Sequence, residues 1–175
     1  MAQSVVDEIV KKGGEAVADN NSVLEGDKII KTALDKWGRI DILINNAGTG
    51  PNGAFKDRKD EDWNTTINTH LLGAFKCTKA AWNFMREKGY GRIVNTSSVA
   101  GLHGSHGLVD YSTAKAGLNG FTMSLAIEGG KRNIKTNSIA PLAHTRMLQV
   151  LKGREKFLSS IPASLVVPLV AVLCH

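Results

Sequence analysis

The sequence is poor in cysteine and proline and contains no long uninterrupted apolar run. Its two cysteines, Cys77 and Cys174, stand far apart without a CxxC pair. This spacing argues against a disulfide framework or a zinc knuckle and makes a reducing compartment the default. The longest apolar run, residues 165–173, contains Pro168 and falls well short of the ~20 residues of a membrane helix. The first charged residues are acidic, which is not the layout of a signal peptide.

The 175 residues, 42% hydrophobic and 22% charged, have the composition of one globular domain with a real core. The net charge of +6 arises entirely from residues 91–175, because residues 1–90 carry 13 basic and 13 acidic side chains. The excess basic residues are dispersed and have no interleaved aromatic residues. An anionic small molecule therefore explains the charge at least as well as nucleic acid does, and we expect no nucleic-acid partner.

Short apolar runs alternate along the chain with segments of helical periodicity. Ser22 and Glu25 have the spacing of a capping box. We expect strands at 15–19, 40–44, 91–95 and 134–139, and helices at 5–13, 22–38, 61–88 and 111–128. Strands that alternate with helices predict right-handed crossovers and a parallel sheet. The expected fold class is therefore α/β, a doubly wound parallel sheet.

The strongest chemical signal is Tyr111 with Lys115, preceded by Ser98 at a distance of 13 residues. Residues four apart share a helix face, and a neighbouring ammonium favours the phenolate form of a tyrosine. A phenolate can exchange a proton with a substrate hydroxyl. Ser98 follows a predicted strand, where a side chain reaches the crevice at the carboxyl edge of the sheet and can hold a carbonyl oxygen. By itself, a Tyr-x-x-x-Lys pair is common and would also fit an exposed helix start.

Two further motifs end predicted strands: Asn-Asn-Ala-Gly at 45–48 and Asn-Ser-Ile-Ala-Pro at 137–141. With Ser98, Tyr111 and Lys115, they make the sequence resemble the short-chain dehydrogenase/reductase family over essentially its whole length. The resemblance implies a Rossmann-type fold, a nicotinamide cofactor and hydride transfer at a carbonyl carbon. It makes Ser98, Tyr111 and Lys115 candidate catalytic residues. It also places Asn46, Ala47 and Gly48, together with Tyr111 and Lys115, at the cofactor.

Within that family, segments 80–82, 89–98 and 124–143 are similar to the (3R)-3-hydroxyacyl-CoA dehydrogenases of peroxisomal β-oxidation. This narrower resemblance implies NAD, an acyl-CoA-type substrate, a peroxisomal location and a homodimer. His70 stands where the wider family has an active-site asparagine, and we count it as a fourth candidate catalytic residue. Two alternatives stay open: a 3-oxoacyl-carrier-protein reductase using NADPH, and a catalytically inert fragment that only dimerises.

The sequence does not contain the glycine-rich phosphate loop of the family, which we expect upstream of Met1. Gly48, Gly50 and Gly53 form a GxGxxG pattern, but it follows the wrong strand and no helix start comes directly after it. The strand that selects NAD over NADP is missing with the loop, so NADP is not excluded. We interpret residues 1–175 as a partial short-chain dehydrogenase/reductase domain, truncated at both ends and a poor enzyme by itself. His103 and His106 lack further ligands nearby in sequence, and we predict no metal site.

Overall fold

A three-stranded parallel sheet forms the centre of the computed structural model, which describes residues 2–50, 53–145 and 155–175. The strands are β1 (Ile42–Asn45), β2 (Gly91–Thr96) and β3 (Ile134–Ile139), and they lie side by side in that order. Asn45 is in register with Asn95, and Thr96 with Ile139, so the carboxyl ends of all three strands meet at one edge. The loops that follow the strands therefore open at the same edge.

Helices connect the strands and pack on the sheet, whereas Ile42 and Ile44 of β1 remain 41% and 46% exposed. A 3-10 turn at Val23–Glu25 leads into the helix Gly26–Trp37, and a π-helical turn at Asn68–Leu72 joins the helices Asp60–Ile67 and Gly73–Lys88. The helices are α1 (Ala2–Lys11), α2 (Gly26–Trp37), α3 (Asp60–Ile67), α4 (Gly73–Lys88), α5 (Val99–His103), α6 (Val109–Gly129), α7 (Glu155–Ser159) and α8 (Val167–Leu173). The structure thus has the α/β architecture with a parallel sheet that the sequence pattern predicts. Within the described residues, no helix is long and apolar enough to span a bilayer.

The main core lies between the sheet and the helices α2 and α4. Five side chains at most 3% exposed form it: Ile30, Ala81, Met85, Ile93 and Ile134. Burying an aliphatic side chain of this kind stabilises the fold by roughly 1.5–3 kcal/mol. Because side chains alternate along a strand, Arg92 points to the other face of the sheet. There its guanidinium donates to the carbonyl of His175 at 3.0 Å, just beyond α8.

The predicted strand at 15–19 is wrong. This segment is irregular, and its side chains are bound to α2: Asp19 accepts a hydrogen bond from Thr32 at 2.5 Å and Glu15 from Trp37 at 3.1 Å. A strand needs a neighbouring strand for its backbone groups, and segment 15–19 pairs with none of the described residues. A short apolar run in a sequence indicates local strand propensity, but it does not show whether a neighbouring strand is available to pair with it.

The predicted helix at 61–88 is present as a continuous helical segment that the π turn divides. The turn lies between α3 and α4 and contains His70. The capping box is present, with the Ser22 hydroxyl and the Glu25 carboxylate both in place. The helix predicted at 111–128 begins two residues earlier, at Val109, and the short α5 was not predicted.

Candidate active site

The loops after β1 and β2 are tied together at the carboxyl edge of the sheet. Residues 45–48 leave β1 there, and Ser97 and Ser98 leave β2. The hydroxyl of Thr96 donates to the side-chain oxygen of Asn46 at 3.0 Å. Asn46, Ala47 and Gly48 are exposed, so this loop faces the open side of the site.

A line of polar side chains crosses the sheet just below this edge. The amide of Asn45 donates to the Thr78 hydroxyl at 3.0 Å and to the Asn95 oxygen at 2.8 Å. Asn95 donates in turn to the Thr122 hydroxyl at 2.9 Å. The line thus connects α4, β1, β2 and α6 and fixes how the strand ends lie against both helices. Sequence reasoning did not identify it, because only the fold brings four distant polar residues into one row.

Ser98 is the N-cap of α5, and its hydroxyl oxygen accepts a hydrogen bond from the Ala100 amide at 3.2 Å. A cap residue satisfies a helix amide that has no partner within the helix. The hydroxyl keeps its own proton for a second hydrogen bond. Capping α5 and donating to a substrate oxygen are therefore compatible roles for this half-buried side chain.

Tyr111 and Lys115 lie one turn apart near the start of α6, and the Lys115 ammonium is 5.5 Å from the centre of the Tyr111 ring. Lys115 is 3% exposed, and its ammonium donates to the backbone carbonyl of Thr96. Burial lowers the pKa of Lys115 to about 8. The backbone is also fixed here, because the Ser97 hydroxyl donates to the carbonyl of Lys115 at 2.9 Å. The charge of Lys115 is thus held between the end of β2 and the tyrosine ring.

Gly101 permits the close approach of α5 to α6. A Cβ at this position would lie 2.7 Å from the Cβ of Lys115, closer than side chains tolerate. The glycine therefore allows the capped helix that begins at Ser98 to pack directly on the turn that carries Lys115. Ser98, Tyr111 and Lys115 are gathered by this contact and by the carboxyl end of β2.

His70 lies against the tyrosine from the π turn. Its ring meets the Tyr111 ring edge-on, with centroids 5.1 Å apart and planes at 88°. The Nε2 atom is in contact with the backbone amide and carbonyl of Thr49, and the tautomer decides which of these contacts is the hydrogen bond. The Nδ1 atom is buried and has no partner among the described residues. Burial and, to a lesser extent, the charge of Lys115 lower the pKa of His70, which favours a neutral imidazole.

Gly48 is required by this arrangement. A Cβ there would lie 2.7 Å from the Cε1 atom of His70. The last residue of the Asn-Asn-Ala-Gly motif thus lets the loop pass directly over the imidazole. The sequence indicates a histidine at this helical position, but not its contact with Tyr111. That contact depends on the π turn, where the backbone hydrogen bonds shift by one residue.

The glycines at 48, 50 and 53 do not open a helix. The Gly53 amide donates to the carbonyl of Gly107 at 3.1 Å, and only a 3-10 turn, Phe55–Asp57, follows. Gly53 therefore joins the loop after β1 to the loop before α6. His103 and His106 are exposed, and the described part of the chain holds no cluster of three or more potential metal ligands.

The chain belongs to the short-chain dehydrogenase family. The family model described as short chain dehydrogenase matches residues 2–155. Members of this family are oxidoreductase enzymes, and the parallel sheet with a Tyr-x-x-x-Lys pair at its carboxyl edge agrees with that assignment.

The similar proteins include peroxisomal enzymes from two organisms. A peroxisomal hydratase-dehydrogenase-epimerase of Neurospora crassa is 49% identical over 174 residues, which is 99% of this chain and 19% of that protein. The structure of full-length peroxisomal multifunctional enzyme type 2 from Drosophila melanogaster matches with a TM-score of 0.83 and 40% identity, over 99% of this chain and 30% of that one. A 3-oxoacyl-[acyl-carrier-protein] reductase of Synechocystis sp. is 46% identical over 143 residues, which is 80% of this chain and 58% of that protein. The chain thus spans less than a third of either peroxisomal protein.

Proposed function

We propose that the protein transfers hydride between NAD and a 3-hydroxyacyl-CoA/3-ketoacyl-CoA pair in fatty-acid β-oxidation, and that it works in the peroxisome. Two peroxisomal relatives matched over 99% of the chain, one of them a hydratase-dehydrogenase-epimerase, support the dehydrogenase activity and the location. The substrate class follows from the resemblance of segments 80–82, 89–98 and 124–143. The observation that carries the chemistry is the buried Lys115 ammonium 5.5 Å from the Tyr111 ring, at the sheet edge where Ser98 also lies.

In this proposal Tyr111 exchanges the proton. In the oxidation direction, the phenolate takes the proton of the substrate hydroxyl, and a hydride leaves the carbon that bears this hydroxyl for the nicotinamide. The ammonium of Lys115, 5.5 Å from the centre of the tyrosine ring, offsets negative charge on the tyrosine oxygen, and the hydroxyl of Ser98 donates to the substrate oxygen. Hydrogen bonds aimed at an oxygen that gains charge are among the larger contributions to catalysis.

His70 is proposed to hold the Tyr111 ring in place. Because its imidazole is neutral, it adds no second positive charge beside the ring. A neutral imidazole packs edge-on against a phenol without competing with Lys115 for the phenolate. The direction of its pKa shift, caused first by burial, supports this role. The buried Nδ1 atom is also positioned to bind one ordered water in the site.

The donor groups of the site fit the nicotinamide half of a dinucleotide. An ammonium has three N–H donors, and in the described structure the Thr96 carbonyl takes one of those of Lys115. The other two suit the paired hydroxyls of a ribose. Asn46, Ala47 and Gly48 would form the wall of the cleft beside it. When bound, NAD supplies the hydride acceptor, whereas the residues of this chain bind, orient and move the proton.

A 3-oxoacyl-carrier-protein reductase that uses NADPH is the second candidate function. The Synechocystis relative, at 46% identity, favours it. The two functions differ in both cofactor and thiol carrier, so they can be separated in one assay with four combinations. We expect turnover with NAD and a 3-hydroxyacyl-CoA, and little with NADPH and a 3-oxoacyl carrier protein. The reverse preference would establish the alternative.

The assay uses two forms of the protein: the chain as it stands, and a fusion that places the glycine-rich segment of another family member before Met1, here called the extended protein. Backbone amides at a helix N-terminus bind the pyrophosphate of a dinucleotide, and we expect the extended protein to bind NAD far better. Equal activity of the two forms would show that this segment is dispensable. Absence of NAD binding at millimolar concentration in both would favour the inert alternative.

The protein is also proposed to form a homodimer through α4 and α6. Helix α6 buries Ala114 and Leu118 but leaves Met123 64% and Ile127 82% exposed, so it is apolar on more than one face. Phe75 of α4 is 39% exposed, and its ring lies 6.4 Å from that of the half-buried Phe121, which is on a different side of α6 from Met123 and Ile127. A helix that is apolar on two sides needs a second surface to bury. A second copy of the chain would supply it.

A further inference from the structure

A buried ion pair stands beside the proposed site, and no step of the proposed chemistry uses it. Arg58 precedes α3, and Asp110 lies in the first turn of α6. The closest nitrogen and oxygen of the two side chains are 3.5 Å apart, and the side chains are 4% and 1% exposed. A buried ion pair gives up the hydration of two charges, and its net contribution to stability is often small. The contacts of this pair point to a different purpose.

Arg58 joins the two loops that border the site. Its Nη2 atom donates to the carbonyl of Gly53 at 3.2 Å and to the carbonyl of Gly107 at 3.0 Å. The two loops are also joined directly, since the Gly53 amide donates to the Gly107 carbonyl at 3.1 Å. The first loop continues from Gly48 after β1, and the second leads into α6. One guanidinium therefore fixes the separation of the two loops.

Asp110 fixes the start of the helix that carries Tyr111. One carboxylate oxygen accepts a hydrogen bond from the Tyr111 amide at 2.9 Å, and the other accepts from the Thr66 hydroxyl at 2.8 Å. Thr66 belongs to α3, four residues before His70. The carboxylate thus sets α6 against the segment that brings the imidazole to the tyrosine ring.

The pair also balances charge at the tyrosine. The charge of Asp110 acts to raise the pKa of His70, while that of Lys115 acts to lower it. An uncompensated carboxylate beside Tyr111 would favour a protonated His70 and oppose the phenolate. Within the described residues, the other titratable groups on the elements packed here make no aromatic or cation contact with the Tyr111 ring. They are the exposed His103 of α5, the carboxylates in the first turn of α3, and Arg92 and Lys135 at the opposite ends of their strands.

We propose that Arg58 and Asp110 are positioning residues of the dehydrogenase site. Asp110 fixes the position of Tyr111 relative to the segment that carries His70. Arg58 holds the loops at Gly53 and Gly107 together, and its positive charge compensates the charge of the Asp110 carboxylate. This inference rests on the function proposed above. Arg58 contributes both a positive charge and a planar group with several donors. Arg58→Lys removes only the planar group, whereas Arg58→Leu removes both.

The test compares Arg58→Leu, Arg58→Lys and the double variant Arg58→Leu/Asp110→Asn, with Lys56→Leu as the matched control. Lys56 is a cation on the adjacent 3-10 turn whose side chain is 83% exposed. In the extended protein, Arg58→Leu should move the acid limb of the kcat/KM profile to higher pH by about half a unit or more, because it leaves Asp110 uncompensated. The double variant and Arg58→Lys should restore the limb, and Lys56→Leu should leave it in place.

Hydrogen exchange supplies a readout that does not depend on activity. In both Arg58→Leu and Arg58→Lys, the amides of Gly53 and Tyr111 should exchange about tenfold faster or more than in the unsubstituted chain, because the loops lose their shared donor. An acid limb that stays in place in folded Arg58→Leu overturns the charge role, and unchanged exchange overturns the cross-link between the two loops.

If the unsubstituted extended protein oxidises no 3-hydroxyacyl-CoA, the proposed function fails, while the exchange measurement still decides on the cross-link. If Arg58→Leu does not fold, the double variant, which lacks both charges of the pair, supplies the exchange measurement that decides on the cross-link.

Discussion

Lys115 shows how burial prepares a single residue for its role. Its ammonium lies between the Thr96 carbonyl and the Tyr111 ring and is almost wholly withdrawn from water. Withdrawal from water disfavours the charged form and lowers the pKa of Lys115 to about 8. The spacing in the sequence predicts that this lysine stands one turn from the tyrosine. It does not predict the burial, which depends on α5 crossing α6 at Gly101 and on the end of β2.

The first prediction follows from this lowered pKa. In the unfolded chain, Lys115 keeps its proton up to a higher pH than in the folded chain. The folded state therefore gains stability as the pH rises above the pKa of Lys115 in the folded protein. Relative to Lys115→Met, the unsubstituted protein should therefore gain about 2 kcal/mol in the free energy of unfolding between pH 7 and pH 9.5. Urea unfolding of both proteins across this range measures the difference. Parallel stability curves would show that Lys115 is fully hydrated in the folded protein.

At the scale of the elements, the line of polar side chains from Thr78 through Asn45 and Asn95 to Thr122 determines how the strand ends are placed. Each member is an ordinary polar residue in the sequence, and nothing local marks it. The same limit explains two of the differences between prediction and structure. The segment 15–19 has strand propensity but no partner strand, and the π turn in the helix at 61–88 has no distinct sequence signal. The predicted bounds of the strand at Ile134–Ile139, by contrast, match the structure, because Pro141 follows closely after its end.

The second prediction concerns this line. Asn95 is fully buried, and its side chain both accepts from Asn45 and donates to Thr122. Asn95→Leu should lower the free energy of unfolding by about 2–4 kcal/mol, because Asn45 and Thr122 each lose one of their two hydrogen-bond partners and a polar side chain is lost from the core. Asn83→Leu, an exposed substitution on α4, is the control and should change the stability by less than about 0.5 kcal/mol. Equal effects of the two substitutions would mean that the line has no structural role.

At the scale of the whole molecule, the exposed apolar face of α4 and α6 is the feature that a single copy leaves unexplained. A shallow groove runs along this face, lined by Phe75, Trp82, Phe121 and Leu125. The sequence pattern predicts that both helices are apolar on more than one side. The structure adds which of these residues remain exposed beside one another.

The third prediction is that a charge on this face breaks the proposed dimer. Phe75→Lys should convert the protein to a monomer, because an ammonium at the centre of an apolar interface has no partner and loses its hydration. Light scattering after size exclusion measures the mass. The control is Val10→Lys, on the exposed side of α1, which should leave the dimer intact. A stable monomer without any substitution would contradict the proposed assembly.

The most direct test of the account is NAD-dependent oxidation of a (3R)-3-hydroxyacyl-CoA by the extended protein and by its Tyr111→Phe variant. The substitution keeps the ring that packs on His70 and removes the group that takes the proton. We expect NADH formation by the unsubstituted protein and a loss of about 10²–10⁴-fold in the variant, with NAD binding unchanged. Turnover by Tyr111→Phe above a few per cent of the unsubstituted rate would contradict the central claim that this tyrosine carries the proton of the reaction.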